Sequence, residues 1–252
     1  MPEATDRSRT ATVPAAVLAV GLVIAAFVLG AQLKHVGSAR DTIVVKGLAE
    51  KPIRADQVEW TVGLRVYGDT LAQTLALLRK ERPLLDAFLD QQGIDAKARA
   101  ETGETIDKHM EEVETSSGRV HEVQKGFVGT QEIVIRSNDL AKIAAANKAA
   151  LQFKADGRPV VYSDPLYLVS DLEAVKMSLI GDATRNAHTR AEEFARNGGV
   201  KVGTMSSASQ GSFYILAAGA NEEASDYGGI YDKSTVEKLA RVVVTIEYNI
   251  EQ

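Results

Sequence analysis

The chain has 252 residues, of which 25% are charged and 45% apolar, the balance of an ordinary globular protein. Its formal net charge of −5 argues against a protein that binds nucleic acid through phosphate contacts. It contains no cysteine, which excludes disulfides, thiolate metal sites, iron–sulfur clusters and cysteine nucleophiles. Its length allows one large domain or two small ones.

An apolar segment lies near the N-terminus, over residues 13–33. As a helix of about 20 residues it would span roughly the 30 Å hydrocarbon core of a bilayer. Basic residues flank it on both sides: Arg7, Arg9, Lys34 and Arg40. The run is longer than the apolar region of a signal peptide, and no A-x-A cleavage motif stands near its end. We therefore predict an uncleaved transmembrane signal-anchor, with a cleaved signal peptide and a buried soluble helix as alternatives.

The first 40 residues and the rest of the chain differ in net charge. Residues 1–40 carry a net charge of +2, and the remaining 212 residues carry −7. We predict a cytoplasmic tail over 1–12, the anchor over 13–33, a linker over 34–42 and an acidic folded domain over 43–252.

Strands and helices alternate along this domain. The clearest strand has apolar residues at every second position, which predicts an antiparallel sheet with one covered face: Val58, Trp60, Val62, Leu64 and Val66. Three helices are expected, capped by Asp69, by Asn138 and by a capping box of Ser170 and Glu173. Pro83 should kink or split the first helix. A single strand is predicted over 159–169.

The third helix carries alanines in a four-residue repeat from Ala183 to Ala195, which allows another element to approach closely. A strand then alternates to the C-terminus.

The element order is roughly ββαββαβαββ, so the predicted fold class is α+β: a mixed, mainly antiparallel sheet packed with three main helices, preceded by the transmembrane helix. Several aromatic residues on apolar stripes are predicted to lie in the core: Trp60, Phe88, Phe127, Phe194 and Tyr248.

A long hairpin is predicted between residues 99 and 136, with an acidic first strand. In this acidic hairpin, 101–114, a strand would place Asp107, His109 and Glu111 on one face and Glu114 on the other. These side chains could bind a divalent cation. The interpretation we favour is solvated charge that discourages edge pairing.

Motifs of catalysis are missing from the sequence. There is no G-x-S-x-G or S-x-x-K motif, and the zinc-hydrolase pattern that opens at His121-Glu122 has Lys125 where its second histidine should stand. The glycines of 198–203 close a helix instead of opening one, so they are caps and not a phosphate loop. We predict no catalytic residue, no cofactor and no enzymatic activity, with an unrecognised hydrolase as a remote alternative.

Two tyrosines lie in a loop rich in small residues, over 217–234. Tyr227 and Tyr231 flank Gly228-Gly229, where a ring has nothing local to pack on. They could contact a partner subunit, or they could fold back onto their own domain.

Several segments of the chain, in this order and spacing, resemble SIMPL-domain proteins. They are T-I-V-V-K-G-L-A-E at 42–50 followed by Asp56, Gly93-Ile94, Gly126-Phe127, the alanine helix with Arg190, then Gly199 and Gly203, and the closing strand 241–250. The resemblance covers about 43–250, essentially the whole domain after the anchor.

The resemblance implies a bacterial exported or envelope protein. Some members of the family are linked to oxidative-stress tolerance, and a known member forms a hollow ring-like oligomer; no catalytic residues carry over. We therefore expect a non-enzymatic envelope protein that forms a homo-oligomer, ring-like by this resemblance, with a role in envelope or oxidative-stress defence. Its expected partners are itself and the membrane, without nucleic acid.

The expected location is the bacterial inner membrane, single-pass, with a periplasmic C-terminal domain. If the segment is cleaved, the domain would be soluble in the periplasm. The alternative function is a periplasmic ligand- or metal-binding module that uses the acidic hairpin 101–114 or a groove beside the alanine helix.

Overall fold

A computed structural model describes residues 20–27, 41–114, 118, 120–219 and 229–251. Within these residues the chain is α+β with antiparallel sheets and four helices, so the α+β part of the predicted fold class is confirmed. In chain order the elements are α1 (20–27), β1 (Thr42–Arg54), β2 (Gln57–Gly68), α2 (Leu71–Gln91), β3 (Arg99–Glu101), β4 (Thr105–Glu114), β5 (Val120–Ser137), α3 (Leu140–Ala155), β6 (Val160–Tyr162), β7 (Leu166–Leu168), α4 (Leu172–Asn197), β8 (Lys201–Ala217) and β9 (Glu237–Glu251).

A six-stranded sheet is built around the antiparallel pair of β2 and β5. Their register runs from Val58↔Ser137 to Gly68↔Phe127. The short strands β3 and β4 pair one after the other with the outer edge of β5, and β6 and β7 pair with the outer edge of β2.

The main core lies on one face of this sheet, where α2 and α3 pack. The predicted alternation of β2 is confirmed, because its five apolar side chains are at most 5% exposed. The indole of Trp60 is completely buried and its Nε1 donates a hydrogen bond to the carbonyl of Ser163 at 3.0 Å. The helices contribute a matching set of buried residues: Leu78, Leu85, Phe88, Leu89, Ile143, Ala146 and Ala150.

The three long helices are each capped one residue later than predicted. The caps are Thr70, Asp139 and Asp171, whose side-chain oxygens accept from the N–H three residues further on at 3.0–3.2 Å. Two adjacent residues could cap each helix, and the segment before the helix decides between them. At α2, β2 stays paired through Gly68, so Thr70 is the residue with extended backbone next to the first helical turn.

Two predicted elements contain an internal proline, and only one of them is interrupted there. Pro83 was predicted to kink or split the first helix; α2 is one continuous helix through it, with the proline exposed, so the split does not occur. The strand predicted over 159–169 is instead divided into β6 and β7, with Pro165 between them. Proline has no N–H to offer a sheet, so pairing with β2 stops before it and resumes after it.

A second sheet has three strands in the order β1-β9-β8. The described residues within Met1–Lys46, Ala187–Ser209 and Thr245–Gln252 form one compact unit, and those within Gly47–Asn186 and Gln210–Val244 form another. In the first unit, Ala187, Ala191 and Ala195 of α4 are buried, and the ring of His188 lies 5.5 Å from that of buried Tyr248. The second unit contains the six-stranded sheet with α2 and α3.

The predicted anchor is described over residues 20–27, which form α1. Its large side chains are 58–79% exposed: Val20, Leu22, Val23, Ile24 and Phe27. The other residues of 13–33, the tail 1–12 and the linker up to residue 40 lie outside the described residues. Among the helices that are described, none has the length and apolar character needed to cross a membrane.

Candidate functional site

The predicted acidic hairpin is formed by β4 and β5. Their pairing runs from Thr105↔Thr130 to Glu114↔Val120, with a register shift between His109 and Met110. The outer part of this hairpin is mostly exposed, and the tip residues 115–117 and 119 lie outside the described residues.

Two of the three metal-ligand candidates on this hairpin, His109 and Glu111, contact each other. Asp107 and Glu111 are exposed, while His109 is half-buried and its Nε2 lies 3.1 Å from Oε1 of Glu111. The His109 ring packs edge-on against Tyr67 with 4.9 Å between ring centroids. Throughout the described part of the chain, no group of three or more histidine, aspartate or glutamate side chains is arranged to hold a metal ion. The structure therefore does not assemble Asp107, His109 and Glu111 into a ligand set.

Tyr231 folds back onto its own domain. Its hydroxyl accepts a hydrogen bond from the N–H of Val169 at 2.9 Å, and the ammonium groups of Lys233 and Lys238 lie 5.8 and 5.9 Å from its ring centroid. This geometry favours the second of the two interpretations of the loop tyrosines. Tyr227, the other predicted oligomer contact, lies outside the described residues.

Lys238, which sequence analysis did not single out, is completely buried beneath Tyr231. Its Nζ donates to the backbone carbonyl of Asp232 at 2.6 Å and to Oδ2 of the same residue at 3.2 Å. Burial raises the pKa of Asp232, but hydrogen bonds from Ser234, Thr235 and Lys238 outweigh it and hold this pKa well below the usual value for aspartate. The sequence contained a signal for the burial of Lys238. Even-numbered residues of β9 face inward, and Lys238 is the first of them.

One edge of β8 is open over Thr204–Ser209. All six residues, T-M-S-S-A-S, are exposed, and none is charged or proline. Further along the strand the same edge is covered: Ile215 pairs with Tyr231, donating to the carbonyl of Ile230 and accepting from the N–H of Asp232, both at 2.8 Å. In the described residues no strand pairs with the outer edge of β8 over Thr204–Ser209.

An apolar groove of about 520 Å³ lies between β1 and α4 in the first unit. Val44 and Val45 line it from β1, and Phe194 lines it from α4. The prediction that Phe194 lies in the core is wrong, since its side chain is 62% exposed. The buried face of α4 carries Ala195, and consecutive residues of a helix point about 100° apart.

The profile of the SIMPL family, described as a protein of unknown function (DUF541), matches residues 43–246. The chain belongs to the SIMPL family. The resemblance drawn from the sequence motifs is thereby confirmed, and the matched range begins in β1 and ends in β9. A search of curated proteins gave no match. The family description assigns no activity, so the function must be argued from the surfaces of this SIMPL domain.

Two of the SIMPL motif residues have structural roles here. Asp56, between β1 and β2, accepts from the N–H of Ser170 at 2.8 Å and from its hydroxyl. The Ser170 hydroxyl lowers the pKa of Asp56. Ser170 therefore ties the β1–β2 turn to the start of α4 and does not form the predicted capping box.

Gly126 of the SIMPL motif lies where β5 passes the end of β2. It has a positive φ of 135°, and a Cβ placed there would lie 2.6 Å from the carbonyl oxygen of Gly68. Both the backbone conformation and the close approach of two strands require glycine.

Proposed function

We propose that this SIMPL protein is a non-enzymatic envelope protein that assembles with copies of itself into a homo-oligomer. In this proposal residues 13–33 anchor it in the bacterial inner membrane, and the domain 43–252 lies in the periplasm. A ring-like arrangement and a role in envelope or oxidative-stress defence rest on the family resemblance alone.

The open edge of β8 is the observation that carries the assembly. An unpaired strand edge presents N–H and C=O groups to any other strand, and monomeric proteins usually protect such edges with charge, proline or a bulge. Thr204–Ser209 has no charged residue and no proline, and all its side chains except Met205 are small. A second copy can add a strand there by main-chain hydrogen bonding.

The apolar surface of α1 supports the anchor. Residues 20–27 contain no polar side chain, and the large ones are exposed: Val20, Leu22, Val23, Ile24 and Phe27. A helix that is apolar all round is suited to lipid or to a protein interior, and it satisfies its own backbone hydrogen bonds.

Assembly is tested by light scattering of the full chain in detergent. The wild type should have the mass of several protomers. The double variant Ser206→Lys and Ala208→Lys should shift to smaller species, because charged side chains protect a strand edge from pairing with another strand. A matched control places the same charges on exposed positions of α3, Ala145→Lys and Leu151→Lys, and should keep the wild-type mass.

Circular dichroism of all three proteins checks that each is folded. A wild type with the mass of one protomer would refute self-assembly. An intact oligomer in the folded β8 variant would show that copies meet at another surface.

A further inference from the structure

The groove between β1 and α4 exposes apolar side chains that soluble surfaces usually cover. Val44 is 61% exposed and Phe194 is 62% exposed, and both line the same groove with buried Val45 at its base. An exposed apolar groove with a polar rim is typical of a docking surface.

The rim of this groove is cationic. Lys46 and Arg190 line it, and the Arg190 guanidinium donates to the carbonyl of Lys46 at 3.0 Å. Among the described residues neither cation has a carboxylate partner, whereas the rim carboxylate of Glu193 is paired with Arg196. The two uncompensated positive charges favour an anionic group beside the apolar wall.

The groove lies close in sequence to the predicted anchor, which favours the membrane surface as its occupant. Val44 follows the end of the apolar segment 13–33 by eleven residues. A chain of that length spans at most roughly 40 Å even when fully extended. If the segment is in the bilayer, the groove is within reach of the phospholipid headgroups.

We propose that this groove docks on the phospholipid bilayer surface, with Phe194 and Val44 at the headgroup level and Lys46 and Arg190 against lipid phosphates. Apolar side chains such as phenylalanine can be buried at the headgroup boundary of a bilayer, and basic side chains are attracted to anionic headgroups. The inference rests on the proposed anchor and adds to it an orientation for the domain.

The absence of cysteine makes a direct test simple, since one introduced cysteine is a unique labelling site. Full-length Phe194→Cys and Val44→Cys, each labelled with a small fluorophore, are reconstituted into vesicles that contain brominated and anionic phospholipids. Leu151→Cys is the control, because Leu151 is 63% exposed on α3. Bromine quenches only at close range, so we expect weaker emission at positions 44 and 194 and unchanged emission at 151.

Flotation of the vesicles separates the possible failures. If the chain floats with the vesicles but positions 44 and 194 are not quenched, the docking is wrong while the anchor stands. If the chain does not float, the anchor is wrong and the docking fails with it. Adding Lys46→Glu to Phe194→Cys should weaken quenching, and unchanged quenching would overturn the phosphate contact.

Discussion

At the scale of single residues, the stability of the fold should depend on the buried pair of Lys238 and Asp232. The Lys238 side chain is 0% exposed, and its ammonium binds both the carbonyl and the carboxylate of Asp232. Asp232→Ala should lower the free energy of unfolding by about 3–5 kcal/mol, because it leaves a buried ammonium without a counter-charge. Lys238→Met should cost less, about 1–2 kcal/mol, since Ser234 and Thr235 still satisfy the carboxylate.

The same variants can be compared by denaturant unfolding of the full chain in detergent at several pH values. The pKa of Asp232 is lower in the folded protein than in the unfolded chain. Its contribution is therefore complete above the unfolded pKa of about 3.9 and is lost as the pH falls through the lower folded pKa. The difference between wild type and Asp232→Ala should shrink below about pH 4. A difference that stays constant, or a larger loss in Lys238→Met, would contradict this account.

At the scale of elements, the close approach of β5 to the end of β2 depends on Gly126. Gly126→Ala should lower the free energy of unfolding by about 2–4 kcal/mol, because the added Cβ meets the carbonyl of Gly68 in a backbone region that alanine avoids.

Gly157→Ala is the matched control for this prediction. Gly157 also has a positive φ, of 83°, but a Cβ there meets no atom within 4 Å. It should cost only about 1 kcal/mol in the same unfolding experiment. Equal losses of unfolding free energy in the two variants would mean that glycine is required at position 126 by its backbone conformation and not by the close approach of the strands.

Element types were predicted more reliably than element boundaries. The alternation of β2 and the alanine row of α4 depend on periodicity, which one segment carries by itself. The caps at Thr70, Asp139 and Asp171 were each missed by one residue, because pairing and turns before each helix choose between two adjacent polar residues.

At the scale of the whole molecule, the proposed anchor predicts that the protein partitions into the membrane fraction. The full chain should stay in the membrane fraction after an alkaline wash. The double variant Leu22→Arg and Ile24→Arg should be released, because each arginine costs about 2.5–3.5 kcal/mol at the centre of a membrane helix. Leu151→Arg, on an exposed position of α3, should stay bound. Release of the wild type would refute the anchor.

By itself the sequence determined the fold class, the covered face of β2, the hairpin of β4 and β5, and membership of the SIMPL family. These depend on local periodicity and on the order of motifs, which can be read along one chain. The tertiary structure alone decided that Tyr231 turns inward, that Lys238 is buried and that Phe194 is exposed. Each of those outcomes depends on which distant segment covers the residue. The average composition of 252 residues contains no information about which segment covers which residue.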